Sequence, residues 1–193
     1  MNELMTKNTD QLLKKYLFTI DEYRLMGEMG ILTRKQPVEL LNGEIIEMSP
    51  IKSLHSGTVK LLNRVLGEIL GKDFIISIQD PVELNQYSEP EPDVAVLKFR
   101  EDAYTKSHPK PPEVLLIIEV ADTSLEKDRE VKLPIYAASG IRECWIVNLR
   151  EQQIEVYTEP SEKGYADIHI YRKGDLIQTQ LVPNLPVAGI LLE

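Results

Sequence analysis

The sequence predicts an α/β domain: a mixed β-sheet with helices packed against it. Three observations carry this. The run from Val114 to Val120 is almost wholly aliphatic, as in a strand buried on both faces, and a helical stretch separates it from a second such run, Cys144 to Leu149. A strand–helix–strand unit of that kind closes a right-handed crossover between parallel strands. An Asn42-Gly43 pair between apolar-rich runs, and turn signals at Lys163-Gly164, Lys173-Gly174 and Pro183-Asn184, call for antiparallel partners at both ends of the chain.

The elements follow in order. Residues 1–16 read as a flexible lead-in, and residues 17–193 as one domain. Thr19-Ile-Asp-Glu22 has the form of a capping box and opens a short helix ending near Gly30. The hairpin occupies Val38 to Glu47. From residue 52 to residue 70, His55, Val59, Leu62, Leu66 and Ile69 recur at helical spacing, and Gly71 closes the helix. Strands are expected at Phe74 to Gln79 and at Asp93 to Leu97. The proline-rich stretch between Lys98 and Glu113, with Lys98, Arg100, Lys106, His108 and Lys110, reads as an exposed loop whose cations are available to phosphates. A second capping box, Thr123-Ser-Leu-Glu126, opens a helix to about Ser139, kinked at Pro134. His169 falls in an edge-like strand, Ile168-His-Ile170.

Composition narrows the setting. No apolar run approaches the roughly 20 residues that span a bilayer, so no membrane partner is expected. Cys144 is the single cysteine, which excludes an internal disulfide and fits a reducing, cytoplasmic compartment. The net charge of −9 counts against a broad basic face for nucleic acid but leaves room for a local one. There is no zinc spacing, phosphate loop or nucleotide fingerprint.

Chemistry concentrates at the strand ends. Glu119 is a carboxylate near the end of an aliphatic strand, where burial without compensation is expensive. Asp93 heads its own strand behind Pro90-Glu91-Pro92. If the two strands run antiparallel, the start of one lies beside the end of the other and Asp93 meets Glu119. Two adjacent carboxylates repel unless a cation lies between them. Mg²⁺ is the natural candidate, held by one or two carboxylates and water. Such an ion polarises a phosphoryl oxygen and acidifies bound water. Glu39 is either an exposed hairpin position or a third acid supporting the ion. Asp128 and Lys132 are either a solvated ion pair or part of the site; Lys127 is the fallback lysine, although its spacing places it elsewhere on a regular helix. His55 is more often a packed or capping histidine than a working one. Tyr136 and Trp145 read as core aromatics.

Pro92-Asp93 followed by a buried strand with Glu119 resembles the signature of PD-(D/E)XK nucleases, although Ala121 stands where that signature has its lysine. The wider pattern is more specific: Glu39-Leu-Leu-Asn-Gly-Glu44, Met48-Ser-Pro50, His55, Pro90-Glu-Pro-Asp93, Glu119-Val120, Asp128, Lys132-Leu-Pro-Ile-Tyr136 and Gly140-Ile-Arg-Glu-Cys-Trp145. Together these resemble the Uma-two family of restriction-endonuclease-type proteins, from about Thr19 onward. The resemblance implies a restriction-endonuclease-like core with a mixed sheet flanked by helices, and a lysine moved to the helix after the glutamate strand, a position Lys132 matches. It also implies Mg²⁺ or Mn²⁺ on Asp93, Glu119 and the carbonyl of Val120, support from Glu39, His55 and Asp128, and DNA as substrate. By analogy with restriction enzymes, a homodimer is expected. The competing expectation is a non-catalytic binding or assembly module that keeps the fold. Glycoside hydrolysis by paired carboxylates ranks below both, because aromatics make up only 6% of the chain.

Overall fold

The computed structural model describes residues 14–33 and 35–191. Most of the predicted lead-in therefore lies outside the described residues. Thr19 caps helix α1 (Ile20–Glu28): its hydroxyl accepts from the Glu22 amide, and the Glu22 carboxylate accepts from the Thr19 amide at 2.8 Å. Strands β1 (Val38–Leu41) and β2 (Glu44–Glu47) pair antiparallel across Asn42 and Gly43, both with positive φ as a two-residue hairpin turn requires. A Cβ on Gly43 would sit 2.6 Å from that of Leu17, so packing requires glycine there as well. Helix α2 (Ser53–Leu70) buries Val59, Leu62 and Leu66, as their spacing predicts. Ile69, expected on the same line, is partly exposed at the rim.

A six-stranded sheet follows, in the order β3 (Phe74–Ile78), β4 (Val94–Lys98), β5 (Val114–Ala121), β6 (Glu143–Asn148), β7 (Gln153–Ser161), β8 (Gly164–Arg172). Only β5 and β6 pair parallel. β9 (Leu176–Ile177) and β10 (Leu185–Pro186) form a small separate pair. β7 and β8 are nine residues each, longer than the short strands the turn spacing implied, and β8 is the sheet edge.

Alternation along β5 sorts its side chains between two apolar layers. Leu116, Ile118 and Val120 join α2 and the C-terminal segment, while Ile117 and Ala121 face Leu133, Ile135 and Tyr136. Glu119 belongs by parity to the second layer, a carboxylate in an apolar row.

The crossover departs from the prediction. Instead of one capped and kinked helix, the chain runs through α3 (Leu125–Lys127), a π-helical turn (Asp128–Lys132) and α4 (Leu133–Ala138). The capping box expected from Thr123 and Glu126 does not form: the helix opens at Ser124 without a side-chain cap, and the Ser124 hydroxyl donates to Asp128 Oδ2 at 2.7 Å. Pro134 has no N–H with which to continue a regular α-helix, and the irregularity falls in the turn before it. Such wide turns insert one residue into a helix and are frequent at functional sites.

Candidate active site

The antiparallel register of β4 and β5 sets Val94 opposite Ile118, so the strand head and the strand end meet as expected. Asp93 Oδ2 accepts from the Val120 amide at 2.8 Å, which ties its carboxylate to the residue after Glu119. Oδ2 also meets His55 Nε2 at 3.0 Å, and Gln79 Nε2 donates to Oδ1 at 3.2 Å. The Asp93 hydrogen bond raises the His55 pKa against the opposing effect of burial. His55 Nδ1 is buried without a protein partner.

On the other side of Glu119 lies a chain of alternating charge. Lys132 Nζ stands 2.9 Å from Glu119 Oε1 and 3.1 Å from Glu39 Oε2. Lys127 Nζ reaches Glu39 Oε1 at 3.0 Å. Lys132 is only 4% exposed, and burial works against its charge, but Glu119, Glu39 and Asp128 hold its pKa above the usual range. Glu39 is fully buried, so the exposed hairpin reading falls. Burial pushes its pKa up, and the two lysines together keep it below the ordinary value. Glu119 is less well served. Burial dominates and lifts its pKa to about 8, only partly offset by Lys132. Asp128 is also raised, chiefly by burial.

The solvated Asp128–Lys132 pair does not occur, since both residues are buried and Lys132 turns to Glu39 and Glu119. Lys127, expected elsewhere on the helix, lies on the same glutamate as Lys132. At about 100° per residue, five positions along an α-helix separate two side chains widely. The π turn, with more residues per turn, brings positions five apart back to one face.

One small cavity of about 70 Å³ is lined by Asp93, Glu119, Glu39, His55, Asp128 and Lys132 together with Lys127 and Gln79. The six candidate site side chains Asp93, Glu119, Lys132, Glu39, His55 and Asp128 thus border one space. It has room for a hydrated cation and a few waters, not for a nucleotide. Tyr136 is the buried core aromatic expected, but sequence reasoning missed that its hydroxyl donates to Glu119 Oε1 at 2.5 Å. Its position four residues after Lys132 was the available signal. The loop between β4 and β5 contributes nothing to the cavity lining. Its Arg100 is engaged by Asp102 and Glu113, and Lys110 by Glu83, so these cations are not free for phosphates.

Among the described residues, no group of three or more His, Cys, Asp or Glu side chains forms a metal cage. The Asp93 and Glu119 donors at the cavity are hard carboxylate oxygens, and burial raises the pKa of Glu119, which Lys132 only partly offsets; Val120 is not among the lining residues. That set fits a hard divalent cation which keeps several waters.

No helix among the described residues is long and apolar enough to cross a membrane. No curated protein matches the chain. Among solved structures, a protein from Anabaena variabilis titled "putative nuclease" superposes with a TM-score of 0.69 at 14% identity, over 90% of this chain and 97% of that one. It is similar in fold, the mixed sheet flanked by helices described above. The profile of a family described as "Putative restriction endonuclease" matches residues 20–188, the span that holds both sheet and cavity, and the chain belongs to that family, Uma2.

Proposed function

We propose that the protein is a metal-dependent endonuclease that hydrolyses phosphodiester bonds in DNA, with its reaction at the Asp93–Glu119 cavity. Membership of Uma2 and the nuclease-like fold support a nuclease. The observation that carries the metal dependence is the undercompensated Glu119 carboxylate beside Asp93, with Lys132 fixed next to it.

In this reading Asp93, Glu119 and the Val120 carbonyl hold Mg²⁺ or Mn²⁺. When bound, the ion polarises a phosphoryl oxygen and lowers the pKa of a coordinated water. The chain's own residues supply position. His55 and Gln79 orient the Asp93 carboxylate, and the Val120 amide locks it to the strand end. Lys132 has three N–H donors; two lie on Glu119 and Glu39, and the third orients the attacking water. Glu39 and Asp128 keep that ammonium charged. The cavity is too small for a nucleotide, so the backbone lies across its mouth with one phosphate facing in. The protein acts on DNA in the cytoplasm.

The test is cleavage of plasmid and oligonucleotide DNA with and without Mg²⁺ or Mn²⁺, in wild type, Glu119→Ala and Asp93→Ala. Metal-stimulated cleavage lost in both variants is expected. Full activity in Glu119→Ala would end the reading. The acidic surface and the internal pairing of both lysines favour the second reading, a non-catalytic module. It predicts a melting temperature that does not respond to either ion.

A further inference from the structure

We infer that Tyr136 is a positioning residue for the proposed cation: with Lys132 it ties up one oxygen of Glu119 and leaves the other as the oxygen offered to the ion. The inference rests on the metal-dependent reading of the cavity. Helix α4 carries Tyr136 four residues after Lys132, on the same face, and packs its ring fully buried among Leu133, Ile135 and Ile117. Tyr136 does not line the cavity. It is therefore placed to act through the carboxylate, not on an ion or a phosphate.

Two donors converge on a single oxygen. The Tyr136 hydroxyl donates to Glu119 Oε1 at 2.5 Å, and Lys132 Nζ stands 2.9 Å from the same atom. An ionised carboxylate oxygen has about two acceptor sites, so Oε1 is filled. No donor among the described residues reaches Oε2. Among those residues His55 Nδ1 is the one buried side-chain polar atom without a partner, so Oε2 is open and not sealed in, and the space that Glu119 borders is the cavity.

Asp93 repeats the pattern. Its Oδ2 has both the Val120 amide and His55, while Oδ1 has Gln79 alone. Each carboxylate thus presents one saturated oxygen and one with room. Glu155, buried on the same sheet, does not. Arg129, Asn148 and Gln153 donate to its Oε1, and Arg129 and Tyr157 to its Oε2. Convergence on one oxygen is therefore a property of the cavity and not of buried glutamates in this chain. Two open oxygens suit an ion that takes one or two carboxylates and keeps several waters. The last torsion of a glutamate is soft, so without the Tyr136 hydroxyl the carboxylate is free to turn and offer either oxygen to Lys132.

The experiment is calorimetric titration of Mn²⁺ into the full chain, wild type against Tyr136→Phe, with melting temperatures taken without metal. Phenylalanine keeps the ring in its place. Mn²⁺ binding is expected to weaken roughly 10 to 100-fold, the scale for losing a group that orients a metal ligand, while the metal-free protein stays folded. A purely packing role would move the melting temperature and leave the affinity alone. A Tyr136→Phe chain that binds Mn²⁺ as tightly as wild type overturns the inference and leaves the metal reading standing. A wild type that binds no Mn²⁺ overturns both. Should Tyr136→Phe unfold, ultraviolet difference spectroscopy on wild type decides. A cation on Glu119 draws charge from the acceptor of the Tyr136 hydrogen bond, so Mn²⁺ is expected to shift tyrosine absorption. Among the described residues no other tyrosine hydroxyl bonds to a residue lining the cavity. Mn²⁺ binding without that shift overturns the inference.

Discussion

Glu119 and Glu155 are the instructive pair in this molecule. Both flank the same residue, Ile146 of β6: Glu119 pairs with it from β5 and Glu155 from β7. They lie two strand spacings apart, about 10 Å, on one face of the sheet. Both are buried, and a cation from the same π turn serves each, Lys132 for Glu119 and Arg129 for Glu155. Their proton affinities diverge. Burial disfavours ionisation of Glu155 too, but Arg129, Tyr157, Gln153 and Asn148 all donate to it and hold its pKa down to about 2. Glu119 shares one lysine with Glu39 and has one hydroxyl, and its pKa is about 8. A carboxylate saturated with donors is structure. One left short beside a second carboxylate and a small cavity is what the proposed cation site rests on.

The comparison can be broken in order of expected effect. Glu119→Ala should lower metal-stimulated cleavage on the order of 10³-fold, the scale of losing a group that organises charge in the transition state. Steady-state rates on a plasmid check this. Glu155→Leu should act on stability instead. It leaves Arg129 without its main partner, a loss at the lower end of the roughly 3 to 5 kcal/mol seen for broken buried pairs, because Arg129 is partly exposed. Calorimetry should show a melting temperature about 6–12 °C lower. His55→Ala should fall between the two, reducing metal affinity roughly 10 to 100-fold as the Asp93 carboxylate loses its orienting partner. Titration calorimetry with Mn²⁺ reads that directly.

The smallest effect is in protons. The folded pKa of Glu119 lies above its ordinary value of 4.5, so the stability linked to its protonated form is present below about pH 4.5 and lost as pH rises through 8. Because burial raises the Glu119 pKa, Mg²⁺ binding near neutral pH should release protons, and fewer of them at pH 9. Titrations in buffers of different ionisation enthalpy detect this. Glu155 has the opposite sign. Its stabilisation is present above about pH 4.5 and disappears as pH falls toward 2, so wild type should lose its advantage over Glu155→Leu in acid.

Legibility from sequence followed the same divide. Aliphatic runs, glycine turns and the first capping box are local signals, and they located α1, the hairpin, α2 and strands β3 to β6, while β7 and β8 were expected only as short antiparallel strands. Asp93 and Glu119 were legible because a carboxylate at the end of an aliphatic strand has few cheap explanations. What was not legible depends on helix phase. Lys127, Tyr136 and Arg129 find their partners through a turn with one extra residue, and no residue type announces that. Nor did Lys110 reveal that it was already paired, since its partner Glu83 lies far from it in sequence.

The π turn also makes the molecule sensitive to length rather than to chemistry. Removing the exposed Glu130 changes no residue that borders the cavity, yet it takes away the extra position in the turn. The helix would relax toward an ordinary α-helix, a local gain in regularity. Everything before the deletion would rotate by about 100° relative to everything after it. Lys127 and Arg129 would swing away from Glu39 and Glu155 while Lys132 kept its place. A single lost codon would thus tidy this helix while taking Lys127 from Glu39 and Arg129 from Glu155. Substitution scans would never find that lever.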